Sequence, residues 1–161
     1  MSRAKAAAGS LVFLVIAPGL VAGLGPWLLT GWEFGDATWL PLQIVGVVLI
    51  AAGGIVLLNA FARFVIEGLG TPAPVAPTEH LVVGGLYRYV RNPMYLAVAA
   101  TIVGQALLFG RLSLLLYAAL FLLVVAAFVH WHEEPYLRRT YGAEYEEYCR
   151  AVPGWWPRLR R

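Results

Sequence analysis

Four long stretches without a formal charge constrain this 161-residue chain more than any other feature. They run from Ser10 to Trp32, Ala37 to Ala62, Asn92 to Gly110 and Leu112 to Trp131. Each approaches or exceeds the roughly 20 residues a helix needs to cross a hydrocarbon core about 30 Å thick. A water-soluble domain of this length has room to bury one such segment, but hardly four. Charged residues make up 13% of the chain and hydrophobic ones 60%, against about a quarter and about half in soluble domains. The sequence therefore predicts an all-α integral membrane protein with about four transmembrane helices. Their expected spans are about 10–29, 39–61, 93–109 and 112–131 of one domain covering 1–161.

Orientation follows from where the charges stand, because Lys and Arg beside spans mark the cytoplasmic side. Arg3 and Lys5, the segment with Arg88 and Arg91, and the tail with Arg158, Arg160 and Arg161 fall on one side of a four-span chain. Glu33 and Asp36 fall on the other, with Arg111 as the exception. Both termini are expected in the cytoplasm, with the spans in the cell membrane and membrane lipids as neighbours. The same bias accounts for a pI of 9.2 without a nucleic-acid partner, since no basic face is interleaved with aromatics. The apolar run from Leu11 resembles a signal peptide, but it continues through Pro18 and Gly23 to Trp27. A cleaved leader has a shorter apolar core, so an uncleaved first span is expected. The lone Cys149 excludes an intrachain disulfide and a cysteine-based metal site. Between Glu146, Glu147 and Arg150 it reads as an ordinary thiol on a solvated helix.

The polar connection at 65–92 is the longest, and loops of that length are usually functional. Pro72, Pro74 and Pro77 forbid regular helix and predict an extended course. Pro93 suits the first turn of a helix, and Gly110-Arg111 leaves only a tight turn before the next span. Residues 132–161 read as a cytoplasmic amphipathic helix to about Arg150, with Gly142 as an interruption, then a Trp155-Trp156 cluster suited to the headgroup layer.

Chemistry concentrates in two segments, Gly85 to Tyr95 and Glu133 to Tyr148. Paired carboxylates at the mouth of an apolar helix are costly unless they meet water, a cation or each other's protons. S-adenosylmethionine suits them, with a sulfonium, an ammonium and ribose hydroxyls. Arg91, Asn92 and the start of the third span offer groups for its carboxylate, and Tyr87 and Tyr95 offer ring faces. His130 and His132 beside Glu133 and Glu134 provide clean helical spacing only between His130 and Glu134, so no metal is expected.

The pattern resembles the isoprenylcysteine carboxyl methyltransferase and phospholipid methyltransferase superfamily of integral membrane enzymes. That family joins Gly-x-Tyr-x-x-x-Arg-His-Pro-x-Tyr to Glu-Glu-x-x-Leu, then Tyr/Phe-Gly-x-x-Tyr-x-x-Tyr and Val-Pro. Here the elements are Gly85 to Tyr95, Glu133 to Leu137, Tyr141 to Tyr148, and Val152-Pro153. The resemblance covers roughly 71–157. It implies that the two segments close over S-adenosylmethionine at the cytoplasmic face. By position it implies cofactor contacts at Glu79, His80, Leu81 and Val82, at Tyr87, at Asn92, Pro93, Met94 and Tyr95, and at Glu133. The residues' own chemistry adds Arg91 and Glu134. Three positions depart from the family: Asn92 replaces the usual His, Ala97 a frequent Gly, and Val129-His130-Trp131 stands where prenylcysteine enzymes carry an Arg.

The expected activity is methyl transfer to a lipophilic thiol, carboxylate or amine by in-line displacement at the sulfonium methyl. That step needs no protein nucleophile, which agrees with the lack of a Ser-His or Cys-His motif. For an amine acceptor, Glu134 or a histidine is a candidate base. Two alternatives stand beside it: phospholipid N-methylation, and a non-catalytic partner or sensor module that keeps the fold.

Overall fold

The computed structural model describes residues 3–68, 70, 72 and 78–159. All the regular structure in them is helical. The expected extended course of the proline-rich run lies largely outside the described residues. The chain opens with α1 (Arg3–Gly19), a π turn (Leu20–Leu24) and α2 (Gly25–Thr30). Then come α3 (Leu40–Arg63), continued by a second π turn (Phe64–Gly68), and α4 (Pro93–Phe109). Next, α5 (Leu112–Phe128) passes through a third π turn (Val129–Glu133) into α6 (Glu134–Tyr141), and α7 (Ala143–Ala151) follows.

Three continuous helices are long and apolar enough to cross a membrane: Ala4–Thr30, Leu40–Gly68 and Leu112–Tyr141. The apolar α4 is shorter, at 17 residues. Its boundaries have local causes. Pro93 starts it, and Gly110 ends it in the left-handed region at φ +63°, which glycine adopts without a Cβ clash. The helix from α3 runs through Gly68, so the polar connection begins later than the expected residue 65. An Arg63–Glu67 ion pair at 2.8 Å, one turn apart, supports that extra turn.

The tightest packing is between α3 and α4, and glycine permits it. A Cβ on Gly46 would lie 2.5 Å from the Gly104 carbonyl oxygen, and one on Gly104 would lie 2.6 Å from that of Gly46. Small residues let helix backbones approach in this way inside a bilayer. Gly54 is different, with nothing within 4 Å of its Cβ position. A core of Val98, Ile102, Ala106, Leu114 and Ala118 joins α4 to α5, with Val21, Leu57 and Tyr117 packed against it.

The π turn of α1 frees carbonyls that apolar surroundings cannot satisfy. Tyr117 donates its hydroxyl to the Val21 carbonyl at 2.7 Å, and Gln105 donates Nε2 to that of Ala22 at 2.6 Å. Gln105 Oε1 in turn accepts from Trp32 Nε1 at 3.1 Å. Trp32 has a positive φ of 56°, rare for a bulky residue, and this bond helps to hold it there.

Candidate active site

At the polar end of the bundle, the last residue of α6 and α7 reach the connection between α3 and α4. Tyr148 donates its hydroxyl to the Tyr87 carbonyl at 2.7 Å, and Tyr141 donates to that of Thr78 at 2.8 Å. Glu67 binds the same connection from below: Oε1 accepts from Arg63, and Oε2 accepts from the Gly84 N–H at 2.8 Å. Gly85, at φ +58°, then starts a 3-10 turn (Gly85–Arg88) that buries Tyr87 to 6% exposure. A Cβ at Gly85 would lie 2.7 Å from Arg63 Nε.

These elements enclose a cavity of about 690 Å³. Its walls include Arg91, Tyr95, Glu133, Glu134, Tyr145 and Tyr148 towards the polar end. Phe13, Ala17, Val21, Leu57, Phe121 and Val125 line it among the long helices.

Nine of the twelve residues expected to contact a cofactor line this cavity: Leu81, Val82, Tyr87, Arg91, Asn92, Met94, Tyr95, Glu133 and Glu134. Three do not. Glu79 and His80 are exposed beside the cavity, their N–H groups directed to the Gly68 carbonyl at 2.8 and 3.4 Å. Pro93 is buried at the start of α4.

The acidic pair divides its partners. Glu133 Oε2 accepts from the Tyr95 hydroxyl at 2.9 Å. Glu134 Oε1 accepts from Arg91 Nη1 at 2.9 Å, with both side chains less than a fifth exposed. The same Nη1 lies 3.2 Å from the Tyr145 hydroxyl and 3.0 Å from Cys149 Sγ. Burial opposes the Arg91 charge, but Cys149, Tyr145 and Glu134 together outweigh it and strengthen the guanidinium's hold on its proton. Burial also pushes the Tyr87, Tyr145 and Tyr148 hydroxyls up from the usual phenol range, keeping them neutral donors. Cys149 is thus half-buried against Arg91, not on a solvated face. Its sequence neighbours Glu146 and Glu147 are exposed, and a partner 58 residues away leaves no local signal.

Asn92, 7% exposed, donates Nδ2 to the Gly154 carbonyl at 3.0 Å. The Arg91 N–H reaches the Pro153 carbonyl at 2.9 Å, and the Arg158 N–H reaches that of Tyr89 at 3.0 Å. The chain after α7 therefore straps the start of α4. Nothing in the sequence marks the α1 residues of the cavity, whereas Tyr145 and Tyr148 belong to the Tyr141 to Tyr148 motif, which names no contact for either.

The sequence profile described as phospholipid methyltransferase matches residues 42–144, well over half of the chain. The chain belongs to the phospholipid methyltransferase family. No curated protein and no solved structure matches it. The family match spans α3 to the start of α7 and so includes Arg91, Tyr95 and the acidic pair. It leaves out the α1 wall of the cavity, Tyr145, Tyr148 and the strap. Membership in a membrane methyltransferase family agrees with the apolar helices, and with a site in which polar and apolar walls meet.

Proposed function

We propose that the chain transfers a methyl group from S-adenosylmethionine to a lipophilic acceptor, and that both meet in this cavity. The observation that carries the reading is the division of one continuous space between carboxylates, tyrosines and an arginine on one side and apolar side chains of the long helices on the other. Its volume of about 690 Å³ is typical of small-molecule sites, which hold about 300–1,000 Å³. The donor set fits the cofactor. Arg91 Nε is buried with no protein partner, a donor suited to a carboxylate. Glu133 offers an acceptor that Tyr95 orients, and tyrosine faces attract a sulfonium.

When bound, S-adenosylmethionine supplies a methyl group on an electron-poor sulfur. The chain's own residues orient the reactants and exclude water, which is where proximity catalysis gains most. Leu81, Val82 and Met94 give apolar walls, while Tyr87, Tyr95 and Glu133 hold polar groups. Glu134, engaged by Arg91, acts as a positioning residue in preference to a base. Asn92 acts through the strap at Gly154. Glu79, His80 and Pro93 support the backbone around the site.

The acceptor we favour is a lipid amine or an apolar thiol. Arg91 is the one arginine or lysine among the described lining residues, and Glu134 already engages it. Val129, buried to 4% exposure, adds no cation for a carboxylate. In this reading α4 is a fourth span, about 26 Å long at 1.5 Å per residue. The whole chain acts as one unit, α6 carries the helix of α5 out into the cytoplasm, α7 lies along the cytoplasmic surface of the cell membrane, and both termini are cytoplasmic. Incubating the purified protein with labelled S-adenosylmethionine and a membrane lipid extract tests the activity. Label should enter a lipid fraction, and Glu133→Gln should reduce it. Absence of label from every fraction would overturn the reading.

A further inference from the structure

Three consecutive residues of one continuous helix, His132, Glu133 and Glu134, line the cavity. Neighbours on an α-helix point about 100° apart, so three in a row seldom share a wall. The π turn at Val129–Glu133 accounts for it. Its i→i+5 bonds put more residues into each turn and bring successive side chains closer in angle. His130, on the same turn, is exposed and is not among the described lining residues; its ring lies against Trp131. His132 is also exposed, yet its ring stands 5.1 Å from that of Phe128, another residue of the wall. It sits where the apolar wall of α5 passes into the acidic pair.

The charged groups beside it are already engaged. Glu134 accepts from Arg91, and Glu133 accepts from the Tyr95 hydroxyl. Tyr141 donates to the Thr78 carbonyl, and burial keeps Tyr87, Tyr145 and Tyr148 protonated. His132 is the one imidazole among the described lining residues. Neither of its ring nitrogens has a hydrogen-bond partner among the described residues, and its exposed edge gives a proton a way out to water. Histidine is the most frequent general base because its neutral ring accepts a proton near physiological pH.

We propose that His132 is the proton acceptor of the reaction and takes one hydrogen from an ammonium-bearing acceptor lying against the apolar wall. An alkylammonium holds its proton to about pH 10 and, while protonated, has no lone pair with which to attack. A ring nitrogen of His132 accepts that proton. The freed nitrogen lone pair then forms the bond to the methyl carbon as the carbon–sulfur bond breaks, and the electrons of that bond stay on sulfur. The imidazolium returns its proton to water. The assignment rests on the methyltransferase reading and adds to it the residue that readies the acceptor.

The test uses the full chain in nanodiscs with phosphatidylethanolamine as the probe. At pH 7, His132→Gln should lower kcat about a hundredfold, the lower end for general base catalysis, and leave the affinity for S-adenosylmethionine unchanged. The defect should shrink as the pH rises towards the ammonium's own pKa of about 10, and added imidazole should restore part of the rate. His130→Gln should turn over normally. A second readout needs no turnover: with the demethylated cofactor bound, the carbon-13 ring resonance lost in His132→Gln should move when phosphatidylethanolamine replaces phosphatidylcholine, whose quaternary nitrogen has no proton to give. Full turnover by His132→Gln, an equal loss in His130→Gln, a loss independent of pH, or turnover with an apolar thiol but not with phosphatidylethanolamine would each overturn the assignment. Failure of the unaltered chain to bind S-adenosylmethionine would instead strike the methyltransferase reading beneath it.

Discussion

Replacing Glu134 by Gln removes one charge from the tightest ion pair of the cavity and keeps the side chain's shape. Arg91 Nη1 and Glu134 Oε1 are 2.9 Å apart, with side chains 17% and 16% exposed. A hydrogen bond to a charged group at such a site contributes about 1.5–3 kcal/mol. Gln keeps an acceptor, so the expected loss is about 1–2 kcal/mol, or roughly 5–30-fold in an equilibrium. Arg138, 3.8 Å from Glu134, adds little because it is half exposed. The loss should appear both in the thermal midpoint and in the dissociation constant for S-adenosylmethionine, because Arg91 then faces a neutral acceptor beside Tyr145 and Cys149. Calorimetric titration in nanodiscs measures the second, with the exposed Glu144→Gln as control. A double-mutant cycle with Arg91→Met should give a coupling of about 1 kcal/mol or more, within the range for residues in contact. Additive effects, or a control that behaves like Glu134→Gln, would refute the positioning role.

Three further outcomes are expected. Gly46→Ala should lower the thermal midpoint by the equivalent of about 1–3 kcal/mol, because its Cβ meets backbone of α4; Gly54→Ala, with open space, should leave it unchanged or raise it. With Cys149→Ser as background, an impermeant thiol reagent outside intact cells should label Phe34→Cys and spare Ala76→Cys, and the reverse would contradict cytoplasmic termini. Val129→Arg should raise methylation of a farnesylated cysteine relative to an apolar thiol, measured as a ratio of turnover, and an unchanged ratio would remove Val129 from the acceptor side.

Much of the fold was legible because hydropathy and breakers act locally. Pro93 and Gly110 bounded α4 at the expected 93–109, and Gly142 separated α6 from α7 as read. The π turns at Leu20–Leu24 and Val129–Glu133 left no such mark. An inserted residue changes hydrogen-bond register while hydropathy stays the same, and the partners that satisfy it, Tyr117 and Gln105, are supplied by other helices. For the same reason the α1 side of the cavity went unread. Phe13, Ala17 and Val21 look like any bilayer-facing residues until the turn aims them. In the polar region the motifs placed Arg91, Tyr95 and the acidic pair together, but not their pairing. Glu133 with Tyr95 and Glu134 with Arg91 is a choice made by backbone geometry. Cys149 was misread because its acidic neighbours point outwards while its thiol points at Arg91.

Equilibrium binding of S-adenosylmethionine to the purified chain in nanodiscs tests the central claim most directly. The account predicts saturable one-to-one binding that Glu133→Gln weakens roughly ten- to a hundredfold, the value of about 1.5–3 kcal/mol for a charge-assisted hydrogen bond, while Glu144→Gln leaves it unchanged. No saturable binding by the unaltered chain, or equal loss in both variants, would contradict it.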